Sequence, residues 1–203
     1  MLLAIHGLPT SPALWSRLPF PVDAPLLPGV DTDEPFSLDA LVAHLRPRVR
    51  GDTVLVGHDL GGVVAAMLGA ETGAPVVLTG TALGPYWAMV RATARWPLHR
   101  YFYERHAGRK FLAGSVSPAR AAEAMAAFSP VPPARMRAIA RAMRPPAIPR
   151  LRDVRLVWGR DDRWYPPFVA RALARRFRVP VTWVPGGHLC PWEHPDAFAA
   201  ALR

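Results

Sequence analysis

The chain has 203 residues, 51% of them hydrophobic, which is enough for the core of one domain with a small insertion. Its formal charge of +10 is carried almost wholly by arginine, with Lys110 the one lysine; the arginines are scattered through helix-like segments rather than gathered with aromatics, so no nucleic-acid partner is expected. No apolar run approaches a membrane span, the opening MLLAIHGLP lacks a basic leader, and the single Cys190 excludes an internal disulfide and fits a reducing cytoplasm, so no membrane partner and a cytoplasmic location are expected.

Leu2 to Ile5 is a short apolar run ended by His6-Gly7, which predicts a buried strand. Ser11 to Arg17 suits a short helix, and Val22 to Leu27, closed by Pro28-Gly29, a second strand. Ser37 is a suitable N-cap for a helix whose Leu38, Leu41, Val42, Leu45 and Val49 share one face, with Pro47 bending its end. Thr53 to Val56 reads as a strand, Leu60 to Thr72 as a helix and Pro75 to Leu78 as a strand. The stretch from 84 to 150 is aromatic, broken by prolines and without strand pattern, so it is read as a helical insertion between two strands. A strand at Val154 to Trp158, a helix at Pro167 to Phe177, a strand at Val181 to Val184 and a helix at Pro195 to Leu202 complete the chain. Apolar strands alternating with helices predict an α/β fold with a parallel sheet covered on both faces, and in such sheets ligands sit at the carboxyl ends of the strands. Gly7, Asp59, Asp162 and His188 all fall just after a predicted strand.

The stretch VLVGHDLGGVVAAMLGA puts a carboxylate, Asp59, on a strand-to-helix turn. A side chain on so sharp a turn needs small residues two positions to either side, which Gly57 and Gly61 supply, while Gly62 lets the helix approach the sheet. An aspartate at a helix N-terminus also has a plain electrostatic rationale, so the turn by itself does not decide. In His6-Gly7-Leu8-Pro9 the glycine permits a tight turn after the first strand, and the Leu8 N–H can pair with that of Leu60 as an oxyanion hole. In VWGRDDRWYP, Asp162 is placed to orient a histidine, with Asp161 its rival. In VPGGHLCPWEHP two glycines precede His188; His194 reads as a surface residue or helix cap and Cys190 as a small buried residue.

Nucleophile, acid and histidine stand in that chain order, each after a strand, with a backbone-donor turn upstream. The motifs Gly57-His58-Asp59-Leu60-Gly61-Gly62, His6-Gly7-Leu8-Pro9, Asp162 within Gly159–Pro166, and Gly187-His188 together resemble the α/β-hydrolase fold superfamily. The resemblance runs from residue 1 to 203 and is weakest between about 84 and 150. It implies a core of residues 1–83 and 151–203 with a short helical cap at 84–150. The chain starts at the His-Gly turn, so a mostly parallel sheet of about six strands is expected, with the family's first two absent.

An aspartate in place of serine resembles the branch of epoxide hydrolases and haloalkane dehalogenases. A carboxylate is already ionised at neutral pH and needs no base to attack an sp3 carbon. The resemblance then implies an alkyl ester on Asp59, hydrolysed by water that His188, oriented by Asp162, activates. Dehalogenases usually carry Trp directly after the nucleophile, where this chain has Leu60. Epoxide hydrolases use cap tyrosines to protonate the opening oxygen, which makes Tyr86, Tyr101 and Tyr103 candidates alongside Trp87 for the substrate pocket, with Tyr165 reaching in from the far side; cap packing is the plainer role for each. The first expectation is an epoxide-hydrolase-like enzyme for a small apolar organic substrate. The alternatives are a dehalogenase-like hydrolase, an esterase- or lactonase-like member, and a non-catalytic ligand-binding protein of the same fold. The dispersed histidines and lone cysteine imply no metal, and no phosphate-cradling loop is present, so no cofactor is expected. A cap this short leaves the site open or is completed by a second copy of the chain.

Overall fold

The structure is a computed structural model that describes residues 1–84, 86–95, 97–98, 100–101, 109–128, 131–144 and 150–203. Strands β1 (Leu2–Ile5), β2 (Val54–His58), β3 (Val76–Thr79), β4 (Val154–Gly159) and β5 (Val181–Val184) form one five-stranded sheet in the order β1-β2-β3-β4-β5. Every pairing is parallel, and the register aligns Ile5 with Gly57 and His58 with Thr79. The carboxyl ends of β1, β2 and β3 therefore meet at one edge of the sheet.

Strand period sorts the core into two layers. Leu3 and Ile5, Leu55, Leu78, Leu156 and Trp158 face one side, where α1 (Leu38–Leu45), α2 (Leu60–Thr72) and α7 (Pro167–Phe177) bury Leu41, Val63 and Val169 against them. The intervening Ala4, Val56, Val77, Val157 and Val184 face the other side and pack on Leu14, Trp15, Leu189, Trp192 and Phe198. The short helix α8 (Cys190–Glu193) and α9 (Pro195–Ala201) belong to this second layer. Burial on both faces is why these strands read as unbroken apolar runs.

The strand expected at Val22 to Leu27 is reduced to one parallel bridge between Leu3 and Asp23. Asp23 donates to the Leu2 carbonyl at 2.9 Å and accepts from the Ala4 N–H at 2.8 Å. The next residue whose N–H would extend this ladder is Pro25, which has none. Residue 23 thus takes the edge position beside β1 without making a sixth strand. The Ser37 hydroxyl caps α1 by accepting from Ala40 N at 3.3 Å, and the helix gives way to a 3-10 turn at Arg46–Arg48, where Pro47 stands.

Between β3 and β4 the described residues form α3 (Tyr86–Thr93), α4 (Arg109–Gly114), α5 (Ala121–Ala127) and α6 (Pro133–Ala142), without a strand. Ala94, Val131, Met136 and Ala140 make a small apolar cluster that packs against Leu8, in the turn after β1. Ile139 and Met143 continue into the main core. The helical segment is therefore seated on the turn that supplies the Leu8 N–H.

Candidate active site

Asp59 occupies the turn between β2 and α2 with φ 52° and ψ −121°, a left-handed conformation that costs a non-glycine residue about 1–3 kcal/mol. Its surroundings hold it there. Its N–H donates to the Thr79 carbonyl at 3.3 Å, and its own carbonyl accepts from Gly62 N at 3.0 Å and from the Thr81 hydroxyl at 2.6 Å. The absence of a side chain is required at two neighbours. A Cβ on Gly57 would lie 2.5 Å from the Gly61 carbonyl oxygen, and one on Gly7 would lie 2.5 Å from the Asp59 carboxylate.

The carboxylate is 7% exposed and surrounded by donors. Leu8 N–H donates to Oδ1 at 3.0 Å, and the Leu60 N–H and the Tyr165 hydroxyl lie near enough to favour its charged form. The Leu8 N–H is aimed this way because the Gly7 carbonyl is fully engaged on the opposite side by Thr10 N, the Thr10 hydroxyl and the His6 ring. His6 in turn bonds Asp31 at 2.9 Å, a buried brace that the sequence did not reveal because its partner lies 25 residues away.

His188 Nε2 faces Asp59 Oδ2 at 3.9 Å and has no hydrogen-bond partner among the described residues. Its Nδ1 meets Asp162 Oδ2 at 3.1 Å. The second Asp162 oxygen accepts from Trp164 N and Tyr165 N, each at 2.9 Å, which locks the carboxylate against the ring. Of the two candidate aspartates, Asp162 is buried against the ring and Asp161 is exposed. Asp59, His188 and Asp162 are thus brought into one line.

Electrostatics follow from this burial. Loss of water pushes the Asp59 carboxyl above its ordinary value, while the His188 charge, the two backbone N–H groups and the Tyr165 hydroxyl pull it back. For His188, burial disfavours the charged ring, but the adjacent Asp162 and then Asp59 outweigh it and raise its affinity for a proton. His58, its ring tilted against that of His188 at 4.4 Å, is pushed well below the usual histidine range, first by burial and then by the His188 charge. It is therefore neutral, and its Nε2 can donate to the His188 carbonyl at 2.9 Å.

The sequence quoted His58 without assigning it a role; this buried brace behind the imidazole depends on a contact 130 residues away. Phe111 and Trp164 were also unassigned. They stack at 3.9 Å, and Phe111 meets the His188 ring edge-on at 5.7 Å. Tyr101 is 54% exposed, whereas Tyr165 is 7% exposed and lies 5.5 Å from the His188 ring. The Tyr86 and Trp87 side chains and the whole of Tyr103 lie outside the described residues. Cys190 is buried, with its thiol proton held by that burial, and is no nucleophile. His194 stands at the N-cap position of α9. Among the described residues no group of His, Cys, Asp and Glu is arranged to hold a metal ion.

Solved structures of similar shape include several hydrolases. An esterase from Thermogutta terrifontis superposes with a TM-score of 0.73 at 21% identity, over 100% of this chain and 87% of the other. An epoxide hydrolase from Bacillus megaterium does so at 0.69 and 16%, over 99% and 91%. A mutant haloalkane dehalogenase from Agrobacterium tumefaciens C58 gives 0.63 and 16%, over 99% and 87%. At such identities the likeness is one of fold. No curated protein matches the sequence. The sequence pattern of the alpha/beta hydrolase family, however, spans residues 2–201, and with the elbow, sheet and histidine loop described above it shows that this chain belongs to the alpha/beta hydrolase family.

Proposed function

We propose that the protein is a hydrolase in which Asp59 attacks an sp3 carbon of a small apolar epoxide. One observation carries this reading. Of the two backbone N–H groups suited to an oxyanion hole, that of Leu8 donates to the Asp59 carboxylate itself and that of Leu60 lies near enough to favour its charge. A tetrahedral oxyanion stabilised there forms on the carbon of Asp59, not on an acyl group of a substrate. That favours an alkyl-enzyme ester over the acyl chemistry of an esterase or lactonase.

In the first step an Asp59 oxygen forms a bond to the epoxide carbon and the ring C–O bond breaks. The released alkoxide takes a proton from the Tyr165 hydroxyl, the tyrosine that contacts the Asp59 carboxylate. In the second step a water lying between His188 Nε2 and the ester gives its proton to His188 and adds to the Asp59 carbonyl carbon. The N–H groups of Leu8 and Leu60 hold the oxyanion. Collapse breaks the bond from that carbon to the alcohol oxygen, which takes the proton from His188; a vicinal diol leaves, and the Asp59 carboxyl, left protonated, returns its proton to the Tyr165 phenolate. Asp162 keeps the ring oriented and stabilises its charged form. The residue after Asp59 is Leu60, which offers no side-chain donor to a departing halide, so dehalogenation is the lesser reading. The buried Trp164 indole N–H has no acceptor among the described residues and could serve a halide, so haloalkanes belong in the same assay.

The test is trapping. The His188→Gln protein is incubated with styrene oxide and, separately, with 1-bromohexane, and its intact mass is followed. An adduct of one epoxide mass, mapped to Asp59 and absent from Asp59→Ala, is the expected result. Labelling by bromohexane alone would transfer the assignment to dehalogenation, and labelling by neither would remove Asp59 as a nucleophile.

A further inference from the structure

Glu193 is 3% exposed, lies outside the line of Asp59, His188 and Asp162, and has no ion-pair partner among the described residues. A buried carboxylate needs donors for both oxygens, since an unsatisfied charge is costly. Here both come from the main chain. Oε1 accepts from Ser117 N at 2.7 Å, and Oε2 accepts from Gly187 N at 3.3 Å. The first belongs to the root of the helical segment, just after α4; the second is the residue before His188. Alongside, the Ser115 carbonyl accepts from Leu189 N at 3.1 Å. The loop carrying His188 is therefore tied before and after the ring to residues 115–117, and at its own carbonyl to His58. A cleft of about 920 Å³, lined by Ser117, Asp162, Gly187 and Glu193 among others, opens on this flank.

We propose that Glu193 is a positioning residue for the His188 imidazole, and that through it the root of the cap sets the geometry of the base. The proposal rests on the reading of Asp59 as a nucleophile, because only then do the two chemical steps separate. Attack by Asp59 needs no proton removed by His188, whereas hydrolysis of the ester does. A loosened His188 loop therefore slows the second step and spares the first. Loss of folded protein would instead lower the yield of ester and leave its first-order hydrolysis rate constant unchanged.

The experiment measures the two steps in single turnovers with excess enzyme and styrene oxide, for wild type and Glu193→Gln. Glutamine has one acceptor and one donor group at its end, so one of the two N–H groups is left facing a donor. Ester formation is expected within twofold of wild type and ester hydrolysis at least tenfold slower. A parallel fall in both rates, or unchanged hydrolysis in a folded variant, overturns the proposal. Should Glu193→Gln fail to fold, Ser117→Pro removes the cap-side N–H alone. The backbone of Ser117, at φ −61°, already suits proline. The same selective slowing is expected. If no electrophile labels His188→Gln, the reading of Asp59 has failed and a second measurement decides the clamp. The low-field proton NMR resonance of the His188 Nδ1–H is expected to shift or broaden in Glu193→Gln. An unchanged resonance rules the clamp out.

Discussion

Replacing Tyr165 with Phe separates proton donation from packing. The ring stays, and with it the contact to His188 and the burial in the core beside Val169. The backbone roles stay as well, because Asp162 binds the Tyr165 N–H and the Trp158 indole donates to the Tyr165 carbonyl at 2.9 Å. What goes is one hydroxyl that favours the charged form of the Asp59 carboxylate. A hydrogen bond to a charged group contributes about 1.5–3 kcal/mol, so an epoxide whose opening oxygen loses its acid should be attacked about 10- to 100-fold more slowly. A primary alkyl halide or alkyl sulfonate leaves without a proton, and for it the sign reverses. The carboxylate that has lost a donor is less stabilised, so attack above its pKa should be unchanged or faster. Rapid-quench measurement of ester formation in Tyr165→Phe, with styrene oxide against methyl tosylate, reads the ratio directly. Equal loss for both electrophiles, or no loss for either, would refute the role given to this hydroxyl.

The pH dependence of ester formation should show an acid limb above the ordinary carboxylate range. Asp59 must be ionised to attack, and burial raises its pKa, so activity is lost on acidification sooner than for a solvated aspartate; a stopped-flow pH series checks this. In Asp162→Asn the chief group that raises the His188 pKa is gone, so the acid limb of ester hydrolysis should move to lower pH while its plateau falls about 100-fold or more, measured on the isolated ester. Gly61→Ala should yield little folded protein, because a Cβ there overlaps the carbonyls of Ile5 and His6, which are rigid backbone; thermal melts and soluble yield report it. Cys190 should resist thiol reagents until the protein unfolds, because burial holds its proton, and labelling across a urea titration should follow the unfolding curve.

The fold was legible in the sequence where local pattern and tertiary burial agree. The run Val181 to Val184 and the helix Pro167 to Phe177 appear with the expected bounds, since proline at a helix start and an apolar face leave little choice. Val22 to Leu27 misled because its apolar composition suits a strand while Pro25 denies it a ladder. Asp59, Asp162 and His188 could be read because each follows a strand, and strand ends converge in a parallel sheet. His58, His6 and Glu193 could not. Each acts through a partner distant in sequence, and no local spacing marks a buried histidine that bonds a carbonyl or a glutamate that bonds two main-chain N–H groups.

On the proposed reading, the charges around His188 explain how its imidazole becomes a base only when the second step needs one. In the free protein, Asp59 and Asp162 flank His188, and both favour its charged form. A charged ring cannot accept a proton from water. Once Asp59 is esterified its charge is gone, and with it one of the two groups that hold the proton on His188. The affinity of the ring for a proton then falls at the moment a base is required. On the proposed reading, ester formation therefore favours the neutral histidine that the second step needs. A nucleophile that stayed charged through the cycle, or one that began neutral as serine does, would not reset the base in this way. On the proposed reading, the placement of a carboxyl side chain on a strained turn is thus tied to the chemistry of the second step as much as the first.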